Sequence, residues 1–407
     1  MGVAPLDRVE CLFCRKVFPH DPFSPFCPDC AEPLFLAPDA GAKTFHEEKA
    51  HSLEIFADFL PLAGFDPGLS LGEGGTPLVP LAAVGRELDM PSVFAKNEAQ
   101  NPTGSFKDRG TVVAIQKAVA LGFKKIGTVS TGNMAASTAA YGARAGIETH
   151  VLLKEGTSPT SAGAAGIFGP ILIGVRGNYG RLFYNSLRIG RKLGIYFINS
   201  IDPFRVEGYK ITGFEIFLQL GRRIPSHVFV PLSSGGHLLG LMRAYEDLAR
   251  AGLVSGFPTF VGVQAEGCAP LAKAFARGSP KYERLKEVRT TAHAISNPTP
   301  PAGNAVLKMI RDHGGILVSV TDEEMIAAQR ELALSEGLFC QPESAVTLPA
   351  LKELRRGGQI LADSRVVLVL TGSGLKAPQA LDSLPLEVEE AGLDDLEDRL
   401  SRLSRLR

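Results

Sequence analysis

The 407-residue sequence predicts an α/β protein with largely parallel sheets covered by helices, long enough for two or more domains. Three observations carry that prediction. Short β-branched runs recur along the chain from about residue 93 onward. Segments of helical spacing lie between them, the alternation that parallel strands and crossover helices produce. Polar, glycine-rich turns follow several of the runs, where open α/β sheets place their ligands.

The strand-like runs are "KKIGTVS" (124–130), "ETHVLLK" (148–154), "GPILIGV" (169–175), "IYFINS" (195–200), "SHVFVPLS" (226–233), "PTFVGVQ" (258–264) and "RVVLVL" (365–370). The helical stretches between them are "AASTAAYGARAG", "GRLFYNSLRIGRKLG", "VEGYKITGFEIFLQLG" and "HLLGLMRAYEDLARAG". Upstream, "FLAPDAGAKTFHEEKAH" reads as a linker entering an early helix. Downstream, Leu393, Leu396, Leu400 and Leu403 fall on one helical face whose acidic start and basic end suit the helix dipole.

About 45% of the residues are hydrophobic, so a large buried core is available. Lys+Arg and Asp+Glu both number 43, which gives no reason to expect a nucleic-acid or membrane-surface partner. No apolar run approaches the roughly 18 residues that span a bilayer. The opening residues lack the basic and apolar regions of a signal peptide. The expectation is a soluble cytoplasmic protein.

Four of the six cysteines, Cys11, Cys14, Cys27 and Cys30, form C-x2-C-x12-C-x2-C. In a reducing compartment this spacing favours a closed tetrahedral zinc site over disulfides. Such a site leaves no open coordination position for a substrate, so its role would be structural.

Three glycine-rich turns stand out: "STGN" (Ser130 to Asn133), "SSGGH" (Ser233 to His237) and "TGSG" (Thr371 to Gly374). Each follows a strand-like run, and the first two open helices, where backbone N–H groups receive anions. "NPTGSFKDRG" (101–110) adds a lysine at a helix start. Ser105 and Asp108 form S-x-x-D, a capping-box signature. Lys107 then sits in the first turn, where the dipole and the neighbouring Arg109 disfavour its charged form. Together these features point to a phosphate-bearing cofactor and a lysine that works as a free amine.

These motifs, with "LGEGGTPLVP" (71–80), "NSIDPFRVEGYK" (199–210), "VGVQAEG" (261–267), "EGLFCQPESA" (336–345) and "LTGSGLKAP" (370–378), resemble the threonine synthase family of fold-type II pyridoxal-phosphate enzymes. The resemblance runs from about residue 50 to 380, and some members carry a four-cysteine module. It implies two parallel-sheet α/β domains with pyridoxal 5′-phosphate between them and a small zinc-ribbon-like arm. The expected divisions are 1–36 for the arm and 37–100 for the linker and first part of the large domain. Residues 101–205 form the smaller domain, 206–385 the rest of the large one and 386–407 a C-terminal amphipathic helix.

By the same resemblance, Lys107 holds the cofactor covalently, and Phe106 packs near its ring. Asn133 bonds the ring hydroxyl, and Ser233, Ser234, Gly235, Gly236 and His237 cradle the phosphate. Thr371 faces the pyridine nitrogen. Ser130, Thr131 and Gly132 receive the substrate carboxylate, while Asn199, Ser200 and Arg205 contact the distal phosphate of O-phosphohomoserine. The implied reaction yields L-threonine and phosphate from a small amino-acid substrate, and the implied assembly is a homodimer.

Several positions depart from the family pattern. Ser234 and His237 replace asparagines, Met134 a hydroxyl residue, Asp202 an asparagine and Ser373 a histidine. A lysine is missing after "EG" in "EGTSPTSAG". Two alternatives therefore stay open. One is another fold-type II elimination or β-replacement on serine, threonine or O-phosphoserine. The other is a cofactor-binding protein with little catalysis.

Overall fold

The computed structural model describes residues 7–39, 41–177, 179–377, 388, 390 and 392–403. It divides the chain into one unit, Met1–Lys376, and a tail, Ala377–Arg407. In chain order the strands are β1 (Arg8–Cys11), β2 (Val17–Pro19), β3 (Leu34–Leu36), β4 (Leu78–Pro80), β5 (Val93–Asn97), β6 (Lys125–Val129), β7 (Glu148–Lys154), β8 (Ile171–Val175), β9 (Tyr196–Phe197), β10 (His227–Pro231), β11 (Thr259–Ala265), β12 (Ile316–Val320) and β13 (Val366–Leu370). All seven strand-like runs of the sequence are strands.

Three sheets result. The arm is a small antiparallel sheet ordered β2-β1-β3. A four-stranded sheet, β8-β7-β6-β9, is parallel throughout. A six-stranded sheet, β12-β11-β10-β13-β5-β4, is parallel except for the antiparallel edge strand β4. The strands β10 and β13 are almost continuously apolar and buried, as strands covered on both faces must be.

Three strands of the large sheet, β4, β5 and β12, were not among the seven runs. The reason is visible in β5, "VFAKN", where Lys96 interrupts the apolar pattern yet is fully buried. Its amine donates to Glu215 Oε2 (2.6 Å), the Thr76 carbonyl (2.6 Å) and Gln219 Oε1 (2.9 Å). A partner 119 residues away decides that burial, and no local pattern encodes it.

The helix Lys107–Ala120 packs against the helix Pro203–Gln219. Their backbones approach so closely that a Cβ on Gly208 would lie 2.2 Å from the Arg109 carbonyl oxygen. The helix Gly236–Arg250 packs on a neighbouring face of Pro203–Gln219, and Tyr209 touches Gly110 of one partner and Gly240 of the other. This stack brings the start of the Lys107 helix up to the start of the Gly236 helix.

The arm lies across elements of both larger sheets. Asp7 pairs with Lys117, and Asp21 with Arg191 of the helix Tyr179–Leu193. Arg243 donates to the Leu36 carbonyl (2.6 Å), and Asn304 of the helix Gly303–Asp312 donates to Glu32 (2.8 Å). Within the arm, Sγ of Cys11 is 3.4 Å from Cys30 and Sγ of Cys14 is 3.6 Å from Cys27. All four sulfurs lie within 4.8 Å of one another. Zinc–sulfur bonds of about 2.3 Å place tetrahedral thiolates about 3.8 Å apart, so the cluster fits such an ion. In the tail, the helix spans Leu396–Leu403. Residues 404–407, the end of the expected helix, lie outside the described residues.

Candidate active site

The site begins at the turn Asn101–Gly104. Thr103 gives its backbone N–H (2.7 Å) and hydroxyl (2.6 Å) to the Asp108 carboxylate. Lys376 closes the turn from outside, donating to the Thr103 carbonyl at 2.5 Å. The expected capping box is not formed. Phe106 is the N-cap and makes no side-chain cap bond. Asp108 braces the preceding turn instead, and the Ser105 hydroxyl is buried without a partner. Lys107 is nonetheless the first helical residue, as anticipated.

The chain after β13 docks on this turn. Phe106 N–H donates to the Thr371 carbonyl (3.0 Å), and Ser373 N–H to the Gly104 carbonyl (2.9 Å). On its other side Gln341 N–H donates to the Gly372 carbonyl (2.8 Å). Thr371 and the residues leading to Lys107 are thus held in one small ladder. The Thr371 hydroxyl is 2.8 Å from Ser344 Oγ, which also accepts from Gly372 N–H at 3.1 Å.

The other two turns converge here. Asn133 begins the helix Asn133–Arg144 and donates from Nδ2 to Gln341 Oε1 at 2.7 Å. Just before it, Ser130 Oγ accepts from Gly132 N–H (3.3 Å), and Thr131 stays half-buried. Gly235 caps the Gly236 helix with φ +96°, a conformation that favours glycine. Ser233 and Ser234 are half-buried, and Ser234 Oγ accepts from Asn297 Nδ2 at 3.2 Å. The His237 ring stacks on Phe106 with centroids 3.8 Å apart.

Lys107 Nζ lies 4.2 Å from the Phe106 ring centre and 5.9 Å from that of Tyr209. Among the described residues it has no hydrogen-bond or ion-pair partner. Its amine is pushed down to about 7, chiefly by burial and then by the Arg205 guanidinium. Arg109 is not the cause, contrary to the sequence-based expectation. It turns away into Glu98 and Glu215, which neutralise it: Nε donates to Glu98 (2.5 Å), Nη1 to Glu215 (2.7 Å) and Nη2 to both carboxylates and Thr76.

Arg205 is buried, with Nε on the Ile198 carbonyl (3.1 Å), Nη1 on Thr111 (2.8 Å) and Nη2 on Thr138 (3.0 Å). Asn199 is buried too, accepting from Val129 N–H (2.9 Å) and donating to Ser186 (3.2 Å). Ser200 is half-buried, its carbonyl against Gly236. Asp202 caps the Pro203 helix by accepting from Arg205 N–H (3.0 Å), and its other oxygen accepts from the Tyr196 hydroxyl. Burial raises its pKa, while both oxygens are engaged by these hydrogen bonds. Met134 is buried in the first turn of the Asn133 helix.

Four polar atoms around Lys107 are buried without partners: Ser105 Oγ, Tyr209 Oη and both ring nitrogens of His237. Buried polar atoms are rarely left so, and several at one spot are what a polar ligand would satisfy. With two helix N-termini and an amine that loses its proton near neutral pH, they fit a phosphate-bearing carbonyl compound. A cavity of about 500 Å³, lined in part by Asn101–Gly104, Ala136, Ser373 and Lys376, borders the same turn. Tyr209, Gln341 and Ser344 were not assigned roles from sequence, although each lies within a quoted motif.

The family model "Pyridoxal-phosphate dependent enzyme" matches residues 69–372. A threonine synthase of Methanocaldococcus jannaschii is 36% identical over 378 residues, 91% of this chain and 93% of that protein. Another, of Methanosarcina acetivorans, is 34% identical over 97% of this chain and 98% of the relative. Among solved structures, threonine deaminase isoform 2 of Solanum lycopersicum superposes with a TM-score of 0.64 at 20% identity, over 76% of this chain and 88% of that one. Maize serine racemase gives 0.62 at 18% identity, over 81% and 92%. These two likenesses establish the fold-type II architecture.

Proposed function

The chain belongs to the pyridoxal-phosphate-dependent enzymes and to the threonine synthase family within them, and from that premise we propose that it converts O-phospho-L-homoserine and water to L-threonine and phosphate. The observation that carries the proposal is Lys107, a helix-start amine held at about 7 among unpartnered polar groups.

Lys107 is the residue that would hold the cofactor, with Phe106 against its ring and Asn133 on its ring hydroxyl. Ser233, Ser234, Gly235, Gly236 and His237 would receive its phosphate, and Thr371 would face its pyridine nitrogen. When bound, the cofactor supplies the electron sink that lets a proton leave an amino-acid carbon. The chain's own contribution is placement and proton transfer. Lys107, whose pKa of about 7 lets it hold or release a proton near neutral pH, accepts the Cα proton and returns protons to the substrate carbons. Ser130, Thr131 and Gly132 orient the carboxylate. Arg205, whose charge already reaches the Lys107 amine, is the cation for the distal phosphate, with Asn199 and Ser200 beside it. Asp202 does not oppose that role, because its carboxyl is a helix cap.

A second reading, elimination or β-replacement on a shorter amino acid, is favoured by Met134, which offers no hydroxyl at the carboxylate loop. The deciding experiment is to mix cofactor-loaded protein with O-phosphohomoserine and measure phosphate and amino-acid product together. Equal amounts of phosphate and threonine support the proposal, and no phosphate release refutes it. The four cysteines are assigned to structural zinc. The double variant Cys11→Ser/Cys27→Ser should lose the metal on elemental analysis, and unchanged metal content would rule the site out. A homodimer is the expected assembly.

A further inference from the structure

His237, placed above among the residues that would receive the cofactor's phosphate, differs from the others in being able to carry a charge. It stands in the first turn of a 15-residue helix and is only 7% exposed. Both ring nitrogens are buried without a partner. The ring is fixed on one face by Phe106 at 3.8 Å and from the side by Tyr209 at 5.4 Å, edge-on. An imidazole held this way keeps its orientation while both polar atoms lack a hydrogen bond. Either nitrogen would be satisfied by an anion arriving at the helix start, where the backbone N–H groups already point.

We propose that His237 is a proton-linked contact for the cofactor's phosphate: it becomes imidazolium as the phosphate enters, so that cofactor capture takes up a proton. This rests on the cofactor assignment above. Without ligand, every influence on the ring keeps it neutral. Burial disfavours its charge, and the positive charge of Lys107, with a smaller contribution from the more distant Arg109, adds to that effect. Tyr209, the other titratable group packed on it, is itself held neutral by burial. A phosphate dianion reverses the local sign, because an opposite charge within a few ångströms favours imidazolium. An amide at this position could donate a hydrogen bond but could not take up a proton.

The linkage has a definite direction. A group whose pKa rises on ligand binding makes affinity increase as pH falls through the bound-state pKa, by up to about tenfold per pH unit for one proton. Pyridoxine 5′-phosphate is a suitable probe, since its alcohol cannot condense with Lys107. At pH 7.5 its phosphate is already mostly the dianion, the second pKa being about 6. Calorimetric titration of the full-length apoprotein, in two buffers of different ionisation enthalpy, counts the protons taken up.

The wild type should take up about one proton more per ligand than His237→Asn, because any contribution from Lys107 is common to both. Equal uptake by the two proteins would overturn the proposal. His237→Gln provides the same comparison should the asparagine variant fail to fold. As an independent measurement, the wild-type dissociation constant should weaken more steeply than the variant's between pH 7.5 and 9. Parallel curves would again overturn it. Failure of the wild type to bind either pyridoxine 5′-phosphate or pyridoxal phosphate would remove the cofactor assignment, and this proposal with it.

Discussion

Lys107 and Arg109 stand two residues apart on one helix, and their surroundings are opposite. Arg109 is fully buried in a neutral cluster with Glu98, Glu215 and Lys96, two cations against two carboxylates. Its neighbours hold Glu215 well below the usual carboxylate range and make Arg109 harder to deprotonate. Lys107 has no ion-pair partner among the described residues, is cationic only at a cost, and sits among polar atoms that lack partners. The contrast separates scaffold from site. A buried charge that is fully paired holds two helices and a strand in place. A buried amine that is left unpaired is available for chemistry.

Four substitutions test this contrast. The largest effect is expected from Lys107→Ala, which should abolish the visible absorbance of covalently held cofactor and lower turnover by about a thousandfold or more. Retention of either would contradict the assignment. Arg109→Met should instead act on the fold. It leaves Glu98 and Glu215 short of a partner and should cost about 3–5 kcal/mol in denaturant unfolding. A loss below about 1 kcal/mol would show that the cluster is not the support described here.

The third test concerns pH. Lys107 sits at about 7 in the folded apoprotein against an ordinary 10.5, so between those values the unfolded chain binds more protons. Its penalty on stability is therefore full below pH 7 and fades as pH rises toward 10.5. Lys107→Met apoprotein should be more stable than wild type at pH 7, by about 1–3 kcal/mol in denaturant unfolding. The gap should close by pH 10, and a gap independent of pH would point to packing instead. The smallest effect is expected from Gln341→Ala, which removes the Asn133 partner and should weaken cofactor binding by about 0.5–1.5 kcal/mol, read by equilibrium dialysis.

Much of this was legible in the sequence because strand and turn chemistry are local. The seven β-branched runs became strands, and the three glycine turns stand at strand ends as read. Lys107 was correctly singled out as an amine held toward its neutral form, but the local argument named the wrong cause. Arg109 is near in sequence but turned into Glu98 and Glu215, while Arg205, 98 positions away, is the charge that acts on the Lys107 amine. Asp202 illustrates the same limit. A carboxylate near a proposed phosphate site reads as repulsive until its hydrogen bonds are known, and they make it a helix cap. Ser105 and Asp108 fit a capping pattern by spacing, but long-range pairing of the turn with Thr371 and Gly372 overrides it.

The position of the arm has a consequence for synthesis. Its partner Asn304 follows Glu32 by 272 residues, so during translation the arm emerges long before that contact can form. At a ribosomal pace of about 5–20 residues per second that interval is on the order of tens of seconds. Three short strands bury too little apolar surface to hold a fold for that time unaided. Four thiols closed on one ion would let the arm keep its shape until the helices it clasps have been made.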